Sequence, residues 1–133
     1  MNDNDKVKFT QNWLSFTWDD TKAIENIRKH DVTFEIATEV FLDEHAVYFY
    51  DELHDEGEPR FQIIGTTEGD VRILFVVYVE RVYNDDIELL RIISARDANE
   101  KEMKIYGMGL PGGLSEDERR SYRACHVGKR RRH

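Results

Sequence analysis

The most constraining feature of the sequence is a change of hydrophobic period near residue 45. Before it, apolar residues recur at helical spacing, and after it they fall into four β-rich runs. The runs are HAVYFYD (45–51), RFQIIGTT (60–67), VRILFVVYVE (71–80) and IELLRIISAR (87–96). TEGD and YNDD place turn-forming residues between the last three runs. The runs therefore predict successive antiparallel strands.

Two helical patterns precede the strands. Asp19 is the predicted N-cap of the first helix, and Ala23, Ile24 and Ile27 recur at the spacing of a core-facing side. Thr33 is the predicted N-cap of the second helix. Each predicted helix thus begins at a residue whose side-chain oxygen can accept a hydrogen bond from a backbone N–H in the first turn.

A third, short helix is predicted in DANEKEMKIYG (97–107), after the last strand. Asn99 and Glu102 have the separation of a capping box, and Gly107 is suited to end the helix. The predicted fold class is α+β, with two N-terminal helices, a four-stranded antiparallel sheet and a closing C-terminal helix.

Charge divides the chain into an acidic body and a basic end. Seven basic and three acidic residues give residues 107–133 a net charge of +4. Since the whole chain has a net charge of −8, residues 1–106 carry a net charge of −12. We predict an N-terminal extension over 1–15, one domain over 16–106, and a linker with a basic tail over 107–133. An acidic body repels polyanions, so binding of nucleic acid requires a local basic site.

The sequence indicates a reducing, aqueous compartment. Cys125 is the single cysteine, which excludes an internal disulfide. The sequence has no apolar run long enough to span a bilayer, and MNDNDKVK does not fit a signal peptide. We therefore expect a cytoplasmic protein with no membrane association.

The last two predicted strands carry arginines that suit an anion site. Strict alternation along IELLRIISAR places Arg96 on one face and Arg91 on the other, and Arg60 begins its own strand. Cleavage of RNA through its 2′-hydroxyl needs a base, an acid, and cations for the charge that grows on phosphorus. Arginine meets the last requirement because it is planar, always charged and bidentate. The acid–base candidates are His54, Glu80, Tyr78 and Tyr106.

Simpler interpretations exist for each of these residues. An arginine at a strand end is more often part of a surface ion pair than of a catalytic site. His54 lies in an acidic loop that solvent can hydrate, and Glu80 can pair with Arg60 or Arg81. The sequence shows no metal-ligand spacing, glycine-rich phosphate loop or nucleophile elbow. From the residues alone we predict an α+β domain with a candidate anion site and with no metal or cofactor.

Three segments resemble the BrnT family, the toxins of type II toxin–antitoxin pairs, whose fold is similar to RelE. The segments are FTWDDTKAIENIRKHDVTFEIATEVFLD, GEPRFQIIG and LLRIISARDANEKEMKIY. Asp31 stands where the family usually has glycine, so the turn after His30 is expected to hold an aspartate in a conformation that suits glycine. The shared positions lie in order between residues 16 and 106: Trp18, Asp19, Lys22, Asn26, Lys29, His30, Phe34, Ala37, Phe41, Asp43, Gly57, Glu58, Arg60, Ile64, Gly65, Glu80, Arg81, the run from Arg91 to Arg96, Glu102 and Tyr106.

The resemblance implies a metal-independent endoribonuclease that inhibits translation and needs no cofactor. It also implies a partner, a small ribbon–helix–helix antitoxin (BrnA-like) that joins the toxin in a hetero-oligomer and alone contacts operator DNA. The alternative is a catalytically weak relative that serves as the partner-binding half of the repressor complex. On this interpretation the catalytic candidates are Arg96, Arg81, Arg60, Glu80 and Tyr106, and the candidates for RNA contact are Arg91, Lys29 and His54, with Arg91 expected to contribute less than Arg96.

Overall fold

The structure is a computed structural model that describes residues 7–11, 14–51, 59–83 and 87–108. The acidic loop with His54, the turn at 84–86 and the predicted basic tail from residue 109 onward lie outside the described residues. In chain order the elements are β1 (Phe9–Gln11), β2 (Leu14–Thr17), α1 (Asp20–His30), α2 (Phe34–Ala37), a 3₁₀ helix (Thr38–Leu42), β3 (Val47–Asp51), β4 (Arg60–Thr66), a 3₁₀ turn (Glu68–Asp70), β5 (Ile73–Tyr83), β6 (Ile87–Asp97) and α3 (Glu100–Met108).

The sheet is larger than the sequence pattern predicted. Its six strands lie in the order β1-β2-β6-β5-β4-β3, and β2 runs parallel to β6 while the other neighbours are antiparallel. The α+β class and the four predicted strands are confirmed, but the purely antiparallel four-stranded sheet was wrong. β1 and β2 come from residues 9–17, mostly within the predicted N-terminal extension. These strands are too short for a clear period, and β2 pairs with a strand about seventy residues away.

The predicted helix starts are confirmed by their hydrogen bonds. The Asp19 carboxylate accepts from the backbone N–H groups of Thr21 and Lys22 at 2.8 and 3.1 Å. Thr33 Oγ1 accepts from Ile36 N–H at 3.1 Å. Asn99 and Glu102 form the reciprocal capping box, with bonds of 2.8 and 2.9 Å. The predicted end at Gly107 was slightly early, because α3 continues to Met108.

The turn after α1 has the expected left-handed backbone. Asp31 has φ 58° and ψ 39°, a conformation that favours glycine and that aspartate tolerates better than most residues. Arg72 Nη1 donates to the Asp31 carbonyl at 3.0 Å, and its Nε and Nη2 form a fork with the Asp97 carboxylate at 2.9 and 2.8 Å. Hydrogen bonds from Arg72, with its positive charge and that of His30, lower the pKa of Asp97. The end of α1 is thereby tied to β5 and β6.

The two faces of the sheet are covered unequally. One face packs on α1, α2 and the first 3₁₀ helix, and its core includes Phe34, Val40, Tyr78 and Ile92. On the opposite face, Tyr106 of α3 and Ala98, which precedes the helix, cover one end in the cluster that also contains Val47, Ile64 and Phe75. In the described part of the chain, α3 is the helix packed on that face. The rest of the face carries the arginines.

Candidate functional site

A β-bulge in β6 decides which way its arginines point. Val77 lies opposite Ser94, but the next residue of β5, Tyr78, lies opposite Ile92, so Ile93 is an extra residue in β6. A bulge of this kind reverses the alternation of side chains beyond it. Arg91 and Arg96 consequently share one face, opposite the helices. The prediction from strict alternation, which placed Arg91 on the other face, was wrong.

Cross-strand pairing brings further cations to the same face. Val79 of β5 lies between Arg60 on β4 and Arg91 on β6, and Phe75 lies between Ile64 and Arg96. Neighbouring strands are about 4.8 Å apart, so the Cα atoms of Arg60 and Arg91 lie on the order of 10 Å apart. Arg81 follows Val79 by two residues and therefore faces the same way. We call this surface, with Arg60, Arg81, Arg91, Arg96 and the intervening Gln62, Phe75, Val77, Val79, Leu89 and Ser94, the arginine face.

Arg91 is a half-buried cation on this face, and its donors are available. In the described part of the chain its guanidinium makes no hydrogen bond or ion pair. A hydrogen bond from the Lys22 N–H lowers the pKa of Asp19, and the positive charge of Arg91 contributes to the same effect. Beneath the arginines, Val79 and Leu89 are only 2% and 1% exposed. The surface thus consists of cations above a buried apolar layer, which suits an anionic ligand.

Arg96 is held from three directions. Its Nη1 and Nη2 donate to the two carboxylate oxygens of Glu102 at 2.8 and 2.9 Å, and Nη1 also donates to the Asp97 carbonyl at 3.2 Å. Its guanidinium carbon lies 4.3 Å from the centre of the Phe75 ring, a cation–π contact. The Arg96 side chain is 35% exposed and that of Glu102 is 13% exposed. The accessible part of this ion pair is therefore mainly the arginine.

Tyr106, a predicted acid–base residue, has its hydroxyl committed elsewhere. It donates to Asp43 Oδ2 at 2.7 Å, and the Thr66 N–H donates to the same oxygen at 2.9 Å. Tyr106 is only 5% exposed and packs in the cluster of Val47 and Ile64. The contact fastens α3 to the segment that follows the first 3₁₀ helix.

Two other predicted site residues, Glu80 and Lys29, do not join the arginine face. Glu80 lies opposite Leu90, whose side chain belongs to the helix-covered core, so it points to the other side of the sheet. Lys29 is exposed in the last turn of α1. His54 lies outside the described residues.

Sequence reasoning missed the role of Asn26. This side chain is 5% exposed, donates to the carbonyls of Ala95 and Val32 at 2.7 and 3.0 Å, and accepts from the Ala95 N–H at 3.1 Å. β2 pairs with residues 89–91 of β6. Farther along the same edge of β6, the Asn26 side chain bonds the backbone N–H and carbonyl of Ala95, the residue before Arg96. The predicted core-facing residues Ile24 and Ile27 are instead 67% and 45% exposed. The available sequence signal was the position of Asn26, a polar residue between the apolar Ile24 and Ile27 of the helical pattern.

The acidic side of the molecule offers no comparable anion site. A cleft of about 330 Å³ is lined by Asp43, His45 and the glutamates Glu39, Glu44 and Glu68. Its negative charge repels phosphate. In the described ranges, no group of three or more His, Cys, Asp or Glu side chains is placed to hold a metal ion. None of the helices described has the length and apolar character that a membrane crossing requires.

Comparison with protein families identifies the chain. Residues 18–102, well over half of the sequence, match the family described as the ribonuclease toxin, BrnT, of type II toxin–antitoxin systems. The chain belongs to the BrnT family. The family consists of ribonuclease toxins and implies an antitoxin partner, so this part of the sequence interpretation is confirmed. The matched range contains α1, the bulge, all four arginines of the arginine face and Glu102. No curated protein matches the chain.

Proposed function

We propose that this BrnT-family protein is a cytoplasmic, metal-independent endoribonuclease that inhibits translation by cleaving RNA on its arginine face. The observation that carries the proposal is the bulge at Ile93, since it gathers Arg91 and Arg96 on the face that also holds Arg60 and Arg81. The family supports the chemistry, because its members are ribonuclease toxins.

The arginine face suits charge stabilisation during phosphodiester cleavage. As the 2′-oxygen attacks phosphorus and loses its proton to water, negative charge builds on the non-bridging oxygens and the bond from phosphorus to the 5′-oxygen breaks. Water returns a proton to the leaving 5′-oxygen, so the products are a 2′,3′-cyclic phosphate and a 5′-hydroxyl. A guanidinium meets two such oxygens with parallel N–H donors, and a site with few competing waters strengthens the contact. Arg60 and Arg91 lie on either side of Val79, so the two guanidinium groups can contact two phosphates of one RNA strand. Glu80 points to the other side of the sheet and the Tyr106 hydroxyl is bonded to Asp43, so neither residue is assigned a role in the step.

The partner in this proposal is a ribbon–helix–helix antitoxin (BrnA-like) that forms a hetero-oligomer with the toxin. Membership of a type II toxin–antitoxin family supports it. A charge of −12 over residues 1–106 opposes extended contact with DNA, so operator binding is assigned to the antitoxin. A second candidate is a catalytically weak protein that supplies the partner-binding half of this repressor complex. The same acidic charge and the pairing of Arg96 with Glu102 favour it.

We expect RNA cleavage by the purified protein to persist in excess EDTA. Arginines stabilise the transition state without a metal, so chelation removes nothing that the proposed step uses. The measurement is the rate of cleavage of a single-stranded RNA with EDTA and, as a control, with added magnesium. Activity lost on chelation and restored by magnesium contradicts the mechanism. Absence of cleavage under both conditions, with antitoxin binding intact, supports the second candidate.

A further inference from the structure

The fork between Arg96 and Glu102 leaves one edge of the guanidinium toward solvent. Glu102 occupies the end-on edge, Nη1 and Nη2, and the Asp97 carbonyl takes the second hydrogen of Nη1. The side-on edge, formed by Nε and the second hydrogen of Nη2, makes no hydrogen bond to the described residues. An arginine can use either edge for a bidentate contact with a carboxylate or phosphate. Arg96 is therefore paired and still able to take a phosphate.

Glu102 is itself rigidly placed. Its Oε1 accepts from the Asn99 N–H at 2.9 Å as well as from Arg96, and its own N–H donates to Asn99 Oδ1 at 2.8 Å. These bonds fix the first turn of α3 against the end of β6. With Phe75 below the guanidinium, the plane and the direction of Arg96 are both fixed. A preset orientation matters because misplacing a catalytic group by about 1 Å can cost on the order of a hundredfold in rate.

We propose that Glu102 is a positioning residue of the ribonuclease site. It holds Arg96 end-on, so that the side-on edge of the guanidinium is presented to the scissile phosphate of RNA. The inference rests on the proposed function of the arginine face and adds to it the residue that sets the geometry of Arg96. Through Glu102, α3 thereby contributes to the active site and also covers one end of the sheet.

Glu102→Gln separates positioning from helix capping. Glutamine retains the oxygen that accepts from Asn99 and fits a capping box, but its amide NH₂ meets Nη2 as a donor facing a donor. We expect kcat for RNA cleavage to fall about tenfold or more, with KM changed less than kcat. Glu100→Gln is the matched control, because it removes an exposed carboxylate from the same first turn of α3 and leaves both the capping box and the fork. It should leave kcat within about twofold of the parent and change the stability by no more than about 0.5 kcal/mol.

Arg96→Ala, measured in the same assay, distinguishes failure of the proposed arginine site from failure of the proposed role of Glu102. If it retains full cleavage, both the proposed arginine site and the role of Glu102 are wrong. If it is inactive while Glu102→Gln matches the parent in kcat, or exceeds it, only the role of Glu102 is wrong. Should Glu102→Gln fail to fold, Glu102→Asp replaces it, because aspartate keeps the charge and the cap but is one methylene too short for the fork. A kcat for Glu102→Asp equal to that of the parent overturns the inference, and a kcat reduced about threefold or more at an unchanged Tm supports it.

Discussion

Arg96→Ala is expected to lower the rate of RNA cleavage by about a hundredfold or more, the cost of removing a cation that stabilises the transition state. The substitution also leaves the Glu102 carboxylate, which is 13% exposed, without its ion-pair partner. We therefore expect a loss of about 1–3 kcal/mol in the free energy of unfolding. The strand-end position alone predicts a smaller loss, and the fork with Glu102 is the reason for the difference. Arg96→Lys keeps the charge without the planar fork and should recover only part of the activity.

Arg72→Ala is the matched control for this prediction. Arg72 also forms a fork with a carboxylate, that of Asp97, and also donates to a backbone carbonyl. It directly precedes β5, however, and its partners Asp97 and Asp31 lie toward the helix-covered face of the sheet. Its removal should destabilise the fold and leave the activity of the folded fraction near that of the parent. The measurement is the cleavage rate per folded molecule, with folding followed by circular dichroism. Equal losses of specific activity in the two variants show that Arg96 acts through stability alone.

Asn26→Leu is expected to lower the free energy of unfolding by about 3–5 kcal/mol, because three buried backbone groups lose their partners at once. These are the N–H and carbonyl of Ala95 and the carbonyl of Val32. A loss of this size is a large fraction of the stability of about 5–15 kcal/mol that is typical of a domain. Since Ala95 adjoins Arg96, loosening this edge also disturbs the arginine face.

Glu25→Leu is the control for Asn26→Leu, since it makes the neighbouring exposed residue of α1 apolar. It should change the stability by no more than about 0.5 kcal/mol. The two variants are compared by urea denaturation. A loss below about 1 kcal/mol for Asn26→Leu means that water or a local shift satisfies the edge of β6.

The parts of the fold that short-range chemistry determines were predictable from sequence. The N-caps at Asp19 and Thr33 and the capping box of Asn99 and Glu102 each need only residues within one helical turn. The strands β3 to β6 were predicted because each is a short run of β-branched and aromatic residues, which can be recognised without knowing the rest of the sequence. The BrnT resemblance depended on residues in the same order and was confirmed by the family match.

The site could not be predicted to the same depth, because long-range pairing sets its geometry. Ile92 and Ile93 are both apolar, so the sequence of β6 fits an alternation with or without a bulge. The partner strand β5 decides between them, and with that choice it decides the direction of Arg91. In the same way, the capping box already explained Glu102 from the sequence, so its ion pair with Arg96 was not predicted. Asn26 was hidden because Ala95, which exchanges two hydrogen bonds with it, lies on β6, 69 residues away.

The bulge at Ile93 is expected to place Arg91 with Arg96 on one phosphate-binding surface. The most direct test of this placement is the affinity of Arg91→Ala for a single-stranded RNA with 2′-O-methyl groups, which cannot be cleaved through the 2′-oxygen. Arg28→Ala is the matched control, because Arg28 is an exposed arginine in the last turn of α1. The affinities are measured over a range of salt concentrations, with circular dichroism to confirm that both variants are folded.

We predict that Arg91→Ala weakens binding about tenfold and reduces the slope of log K against log salt by about 0.7, the share of one phosphate contact on a single strand. Arg28→Ala should leave both quantities close to those of the parent. If Arg91→Ala binds the RNA with the affinity and salt slope of the parent, or if Arg28→Ala loses as much, the arginine face is not the RNA-binding surface.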